Sequence, residues 1–357
     1  MYDNPELMPA IRTRKAGKPA AATKTINLAL QGGGAHGAFT WGVLDRLLEE
    51  DRVSFEGVSA TSAGAMNAAV MAYGLTQGGR EGAKTALANF WRRIAHAGLS
   101  SPLQPTPFDR LAHNHGLDSS PAFLMFDLVT RLFSPYQFNP LNVNPLRTAL
   151  DETVDFAALR KCDAIKLFIS ATNVRTGKIR VFENKDLSTD AVLASACLPF
   201  MFQAVEIDGE AYWDGGYMGN PAIFPLIYAC DSRDVLVVHI NPIERPDVPT
   251  SAKDILNRIN EISFNSSLMR EMRAIAFVTK LIDDKALSGA NMKRMLIHSI
   301  AGGEFMKELS VSSKLNCDWE FLTHLRDEGR EQAEKFIEQS FNDLGVQSTI
   351  DISDVYL

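Results

Sequence analysis

The sequence predicts one α/β domain, and three observations predict it. Short apolar, β-prone runs at residues 26–30, 53–58, 165–171, 235–240 and 295–300 read as strands. Between them lie stretches whose apolar residues recur at helical spacing, so strands and helices alternate through most of the chain without an obvious linker. The composition is that of an ordinary globular protein, 46% hydrophobic and 22% charged over 357 residues, which is enough chain to bury a sizeable core.

Taken in order, residues 1–24 carry Arg12, Arg14, Lys15, Lys18 and Lys24 among Pro, Ala and Gly, which predicts a flexible basic tail. Such a tail can also weakly attract an anionic membrane surface. Order is expected from Thr25. The strand at 26–30 runs into Gln31-Gly32-Gly33-Gly34-Ala35-His36-Gly37, and Phe39, Val43, Leu44, Leu47 and Leu48 then share one helical face. A strand, a glycine loop and a helix in that order make an anion site. Backbone N–H groups face outward without Cβ obstruction, where the helix dipole is positive.

Three readings compete for this loop. A phosphate-binding P-loop fails, because no Lys-Ser/Thr pair follows the glycines. A dinucleotide turn would use Gly32, Gly34 and Gly37, with Glu56 as the ribose-binding acid. An oxyanion loop needs a nucleophile nearby, and Ser62 stands at the end of the next strand, 53–58. Strands adjacent in sequence are usually adjacent in a sheet, so this third reading joins two features in one site. The surroundings of Ser62, Ala60-Thr61-Ser62-Ala63-Gly64, have the tiny neighbours of a nucleophile elbow, with Ala60 at the first glycine position and Gly64 at the last. Alone, that stretch would also describe a small-residue helix packed on a sheet.

Residues 74–84 read as a glycine-rich turn leading to a helix at 86–95. The segment 99–146 is punctuated by prolines yet carries Phe108, Phe123, Phe126, Phe133, Tyr136 and Phe138. Its run 123–133 is apolar nearly all round, which describes either a buried helix or a flap over an acyl-chain pocket. The second use predicts that polar residues at Leu124, Phe126 and Leu128 would weaken long-chain esters most. His113 and His115 lie in the same segment without a further ligand set. A helix follows at 145–151, then a hairpin from 165–171 to 178–182, a short helix at 191–197, and a second hairpin around Asp208-Gly209. That hairpin delivers Trp213-Asp214-Gly215-Gly216-Tyr217. Long amphipathic helices are expected over 251–287, and another over 331–344.

A serine nucleophile needs a base. Asp214 sits after an aromatic strand and before two glycines, so its carboxylate can occupy a tight turn open to approach. A carboxylate with an ordinary pKa near 4 is a weak base, so burial and hydrogen bonding would have to tune it. A triad would instead recruit His239, His298 or His324, none of which lies in a glycine-bounded loop.

Three words of the sequence, Gly32-Gly33-Gly34-Ala35-His36-Gly37, Ala60-Thr61-Ser62-Ala63-Gly64 and Asp214-Gly215-Gly216, resemble in their order the three motifs of the patatin-like phospholipases. Ser170-Ala171-Thr172-Asn173, Ser195-Ala196-Cys197-Leu198-Pro199-Phe200 and Gly219-Asn220-Pro221 are similar to bacterial members as well. The resemblance covers residues 25–240. It implies a three-layer α/β/α fold with a mostly parallel central sheet. It also implies a Ser62–Asp214 dyad working without histidine, metal or cofactor, and an oxyanion hole from the N–H groups around Gly33, Gly34 and Ala35. Residues 241–357 would form a mainly helical extension packed on the same domain. His36 stands where many members carry arginine, and could orient the loop only through a hydrogen bond.

The implied activity is hydrolysis of lipid carboxylic esters, of phospholipase A type, through an acyl-enzyme. The alternatives are the dinucleotide-binding protein, a carboxylesterase or polyester depolymerase, and a relative that keeps the fold without turnover. The net charge of −7 and the lack of a basic stripe argue against nucleic acid. The partner expected is an acyl-ester substrate with peripheral membrane contact. Cys162, Cys197, Cys230 and Cys317 form no C-x-x-C pair, no apolar run spans a membrane, and no apolar core follows the basic N-terminus. These features together lead to the expectation of a cytoplasmic protein, membrane-associated at most.

Overall fold

The computed structural model describes residues 23–106, 108–109, 114–285 and 292–357. The expected basic tail falls almost wholly outside these residues, as does His113. Lys24 already begins strand β1 (Lys24–Leu30), and its ammonium donates to the carbonyls of Asn342 and Leu344.

Five parallel strands make the middle of the sheet, in the order β3 (Lys166–Asn173), β2 (Val53–Ala60), β1, β7 (Asp234–His239) and β8 (Leu296–Ala301). Such strands are covered on both faces and read as continuous apolar runs, which is why they were visible in the sequence. β7 illustrates this, since Leu236 and Val238 enter one core and Val235 and Val237 the other. The first core is shared with α1 (Gly37–Leu47), α2 (Ala63–Leu99) and α11 (Trp319–Ser340). The second is shared with α8 (Phe224–Ala229), α9 (Ala252–Asp283) and the terminal α12 (Ile352–Tyr356). The result is three layers, α/β/α.

Antiparallel strands complete the sheet at the β3 side. β4 (Ile179–Glu183) returns along β3, and β5 (Val205–Ile207) pairs with β6 (Glu210–Asp214). β3 thus has three partners on two sides. β4 occupies one side, opposite Phe168 to Thr172. On the other, β2 pairs up to Ala60 opposite Ile169, and β6 takes over with Asp214 opposite Ala171. β2 and β6 run in opposite directions and meet end to end.

The connections depart from expectation in three places. The helix expected at 86–95 belongs to α2, which starts directly after Ser62; the glycine-rich stretch is only a break at Gly78 and Gly79, where Gly79 takes a positive φ of 60°. α11 begins at Trp319, three turns before the expected start at 331. The segment 99–146 holds α3 (Pro121–Leu132), α4 (Pro135–Phe138) and α5 (Pro145–Asp151), each opened by a proline at its first position, where a missing N–H costs nothing. α3 is not a buried helix: Phe123 is buried, but Leu124, Met125, Leu128 and Leu132 face outward. Further on, α6 (Phe156–Leu159) precedes β3, and α7 (Thr189–Ser195) and α10 (Gly303–Glu308) complete the helices used below.

Candidate active site

Ser62 stands between β2 and α2 with φ 55° and ψ −123°, a conformation that a side chain rarely adopts and that marks a strained turn. The strain is held from both sides. The Thr61 N–H donates to the Leu30 carbonyl, and the Ser62 N–H donates to Ser195 Oγ at 2.9 Å, from the end of α7. A methyl group on Gly64 would run into the Leu30 and Gln31 carbonyls, so the last glycine of the elbow is required by the close passage of β1. Ala60, at the first glycine position, is fully buried at the end of β2, paired with Leu30 of β1 and Ile169 of β3.

The glycine loop lies against this serine. A Cβ on Gly32 would come within 2.5 Å of Ser62 Cβ. The Gly32 N–H is bound by Asn220 Oδ1 at 2.7 Å, and its carbonyl by Asn241 Nδ2 at 2.7 Å, so Gly32 is spent on positioning the loop. Gln31 extends the same frame, receiving the Ile240 and Asn241 N–H groups and donating to the Asn220 carbonyl. Among the described residues, the N–H groups of Gly33 and Gly34 find no acceptor. Gly34, Ala35 and His36 form a single 3-10 turn leading into Gly37 and α1, with Gly34 at a positive φ of 58°. The loop therefore presents free donors at a helix entrance, beside the serine.

Asp214 arrives from the other direction, at the end of β6. Its backbone is fixed by the Cys197 carbonyl at 2.8 Å and by Thr172 Oγ1, which donates to the Asp214 carbonyl at 2.8 Å. Oδ1 accepts the Gly216 N–H at 2.7 Å, closing the turn through Gly215 and Gly216. Oδ2 is buried with no partner of regular hydrogen-bond geometry among the described residues. Burial raises this carboxyl to about 7, against smaller lowering effects from the Gly216 N–H, the Ser62 hydroxyl and the Lys314 charge. A carboxylate tuned to neutrality next to a strained serine and free N–H donors can exchange a proton with that serine, and the donors can receive an oxyanion.

His36 is placed behind the loop rather than on it. Its Nε2 shares a 2.7 Å hydrogen bond with Ser313 Oγ, and burial, with the charges of Lys314 and Arg245, keeps the ring well below its usual pKa. It is a neutral hydrogen-bonding anchor. The cation of this neighbourhood is Lys314, which no sequence pattern had singled out. Its ammonium donates to Asn241 Oδ1 at 2.7 Å, and burial lowers it to about 8 against the attraction of Glu261. Ser195 and Asn220 were also without assigned roles, although both lie in stretches quoted above.

The other candidates fall elsewhere. Glu56 receives the Asp231 and Ser232 N–H groups, both at 2.7 Å, and the Lys166 ammonium, at the edge of the sheet where β7 begins. The glycine loop lies at the opposite edge, so the dinucleotide reading loses its acid. His239 packs on Tyr356 and burial lowers it to about 4; His298 pairs with Asp234 at 2.9 Å; His324 stacks on His115. None of the three hydrogen-bonds Ser62 or Asp214 among the described residues.

A cavity of about 590 Å³ adjoins the Asp214 turn. Thr172, Trp213 and Tyr217 line it together with the exposed Leu132, Phe133 and Phe200. The segment 99–146 thus reaches a cavity beside the site, through the C-terminal end of α3 rather than through Leu124, Phe126 or Leu128. Among the described residues no helix is long and apolar enough to cross a membrane.

A family model described as patatin-like phospholipase matches residues 28–227. Among solved structures, the chain is similar to VipD from Legionella pneumophila, with 16% identity and a TM-score of 0.45, covering 89% of this chain and 67% of that one. It is also similar to full-length ExoU, crystallised in complex with SpcU from the type III secretion system of Pseudomonas aeruginosa, with 14% identity and a TM-score of 0.34. That match covers 89% of this chain and 53% of ExoU, so the chain spans about half the length of that relative. No curated protein matches the sequence.

Proposed function

Because the chain belongs to the patatin-like phospholipase family and is thereby a hydrolase of lipid esters, we propose that it works through Ser62 as nucleophile and Asp214 as its base. Ser62 Oγ attacks the ester carbonyl carbon while its proton passes to Asp214 Oδ2. The tetrahedral oxyanion is received by the N–H groups of Gly33 and Gly34. Collapse breaks the bond to the alcohol, which takes the proton from Asp214, and leaves an acyl group on Ser62. Water then repeats the sequence, with Asp214 again removing and returning the proton, and releases the fatty acid. The acyl chain lies in the cavity beside Trp213 and Tyr217, where each buried methylene contributes about 0.8 kcal/mol.

The single observation that carries the reading is the end-to-end approach of β2 and β6 along β3. It supports a direct Ser–Asp exchange, because a strained serine and an unpartnered carboxyl oxygen are delivered to one point. At neutral pH about half of an acid with a pKa near 7 is ionised, which suits a group that must take a proton and give it back.

The test is labelling by a fluorophosphonate probe, followed by peptide mapping and a p-nitrophenyl ester assay. Modification at Ser62, lost together with hydrolysis in Ser62→Ala while the fold survives, is the expected result. Unchanged hydrolysis in Ser62→Ala would end the assignment. A histidine variant as inactive as Asp214→Asn would replace the dyad with a triad.

A further inference from the structure

α3 turns an aliphatic stripe to solvent. Leu124, Leu128 and Leu132 follow one another at intervals of four residues and are 53%, 50% and 66% exposed, and Met125 widens the stripe. It does not end at the helix. Leu132 and the exposed Phe133 line the cavity, as does Phe200, 69% exposed. The same residues are thus outer surface and cavity wall.

A second aliphatic stripe lies on α9. In the first half of α9, Ile255, Ile259 and Ile262 are exposed at i, i+4 and i+7. Two residues beyond Ile262, Phe264 packs on the Tyr217 ring at 5.1 Å and fills the space beside Gly216. Tyr217 lines the cavity. Phe264 stands about 200° round the helix from Ile262, so the isoleucines face away from the turn that carries Asp214, and of the two stripes only that of α3 runs into the cavity.

Monomeric proteins rarely leave such surface in water unless something covers it. The charges beside the α3 stripe cancel, Asp127 being paired with Arg131. The whole chain carries −7. An anionic surface held by basic residues is therefore a poor match, and an uncharged apolar layer a good one. We propose that the stripe of α3 seats the cavity mouth on a zwitterionic lipid bilayer, with its leucines entering the boundary between headgroups and acyl chains. The proposal rests on the lipid-hydrolase reading for its choice of partner. It adds which face meets the lipid, and that apolar insertion rather than charge holds it there. An acyl chain then passes from bilayer to cavity along apolar surface.

The experiment is co-sedimentation of the full chain with phosphatidylcholine vesicles, for the wild type, Ser62→Ala, Leu124→Asp/Leu128→Asp and Ile255→Asp/Ile259→Asp. Wild type and Ser62→Ala should bind alike, with little change between low and high salt. Leu124→Asp/Leu128→Asp should bind at least about tenfold more weakly, as loss of aliphatic insertion demands, while hydrolysing a water-soluble acetyl ester at the normal rate; Ile255→Asp/Ile259→Asp, on the far face of α9, should bind like the wild type. Undiminished vesicle binding by Leu124→Asp/Leu128→Asp would overturn the proposal even if Ser62 proves to be the nucleophile. So would a wild-type dimer that this variant dissociates without affecting vesicle binding, since the stripe would then face a second copy. Vesicle binding by a protein that hydrolyses no ester would leave the docking face standing and remove the reading beneath it. Should the aspartate variants fail to fold, an environment-sensitive fluorophore on Leu128→Cys should shift to the blue with vesicles, and one on Val346→Cys should not. Val346 is exposed beside Gly345, whose N–H binds Asp234 at the start of β7, the end of the sheet opposite the glycine loop. No shift at residue 128 overturns the proposal.

Discussion

As the proposed base, Asp214 sets function against stability. Burial raises its carboxyl to about 7, so the folded chain holds a proton there at pH values where the unfolded chain has released it. For an acid raised on folding, stability is therefore lost as pH climbs from the ordinary carboxylate range towards 7. Above 7 the fold carries an ionised group that it disfavours by on the order of 4 kcal/mol. Asp214→Asn should abolish hydrolysis and raise Tm at pH 8, with little effect at pH 4; calorimetry of the two proteins at both pH values checks this. A lower Tm for Asp214→Asn at pH 8 would mean that the carboxylate is stabilised by something unaccounted for. The same group should set the acidic limb of kcat/KM, with activity rising through about pH 7 as the base ionises. Lys314 lowers Asp214 by its charge, so Lys314→Met should move that limb to higher pH and lower kcat at neutral pH. A structural role alone would reduce activity without moving the limb.

At the scale of elements, the tightest packing lies between α1 and α11. A methyl group on Gly42 would run into the Arg326 carbonyl, and one on Gly329 into the Phe39 carbonyl, so each helix reserves a glycine for the other's backbone. Alanine in an exposed helix contributes up to about 1 kcal/mol over glycine. Here it forces two backbones apart at a cost of about 1–3 kcal/mol. Gly329→Ala should therefore lower Tm despite its better helix propensity, and an unchanged Tm would mean that the helices slide apart freely. This contact also shows what the sequence could reveal. The parallel strands were readable because burial on both faces makes them continuously apolar, and the two hairpins because Asp208-Gly209 and Asn173 to Gly177 are turn residues. The helix break at Gly78 and Gly79 was read as a longer turn, since glycine content does not tell a kink from a loop. α3 was apolar enough to be expected inside; composition records what a side chain prefers, not whether anything covers it. Ser62 and the glycine loop lie at the ends of adjacent predicted strands, so their convergence is legible from topology, whereas Asp214 is joined to them only through the family resemblance. Lys314 and Asn241 become relevant only through long-range packing, and nothing local announces them.

On the scale of the molecule, the family match ends at residue 227, yet the fold does not. β8 pairs with β7 along its length, from Asp234 opposite Leu296 to His239 opposite Ala301. Phe321, Leu322 and Leu325 of α11 enter the same core as Phe39 and Val43 of α1. The 3-10 turn that follows α10 brings Ser313 to His36 and Lys314 to Asn241, which in turn binds the Gly32 carbonyl. The last third of the chain thus covers one face of α1, one edge of the sheet and the back of the glycine loop. A domain boundary leaves few contacts across it; a cut after residue 240 would break all of these. A chain ending there should keep every residue of the three sequence motifs, yet lack a cooperative thermal transition and fluorophosphonate labelling. The uncovered Phe39, Val43 and Leu44 should make it aggregate on expression. If that shorter chain instead melts cooperatively and labels at Ser62 at the full-length rate, residues 241–357 are an appendage and Lys314 plays no part in the site. Labelling restored by adding residues 241–357 as a separate chain would show that these contacts form without the covalent link.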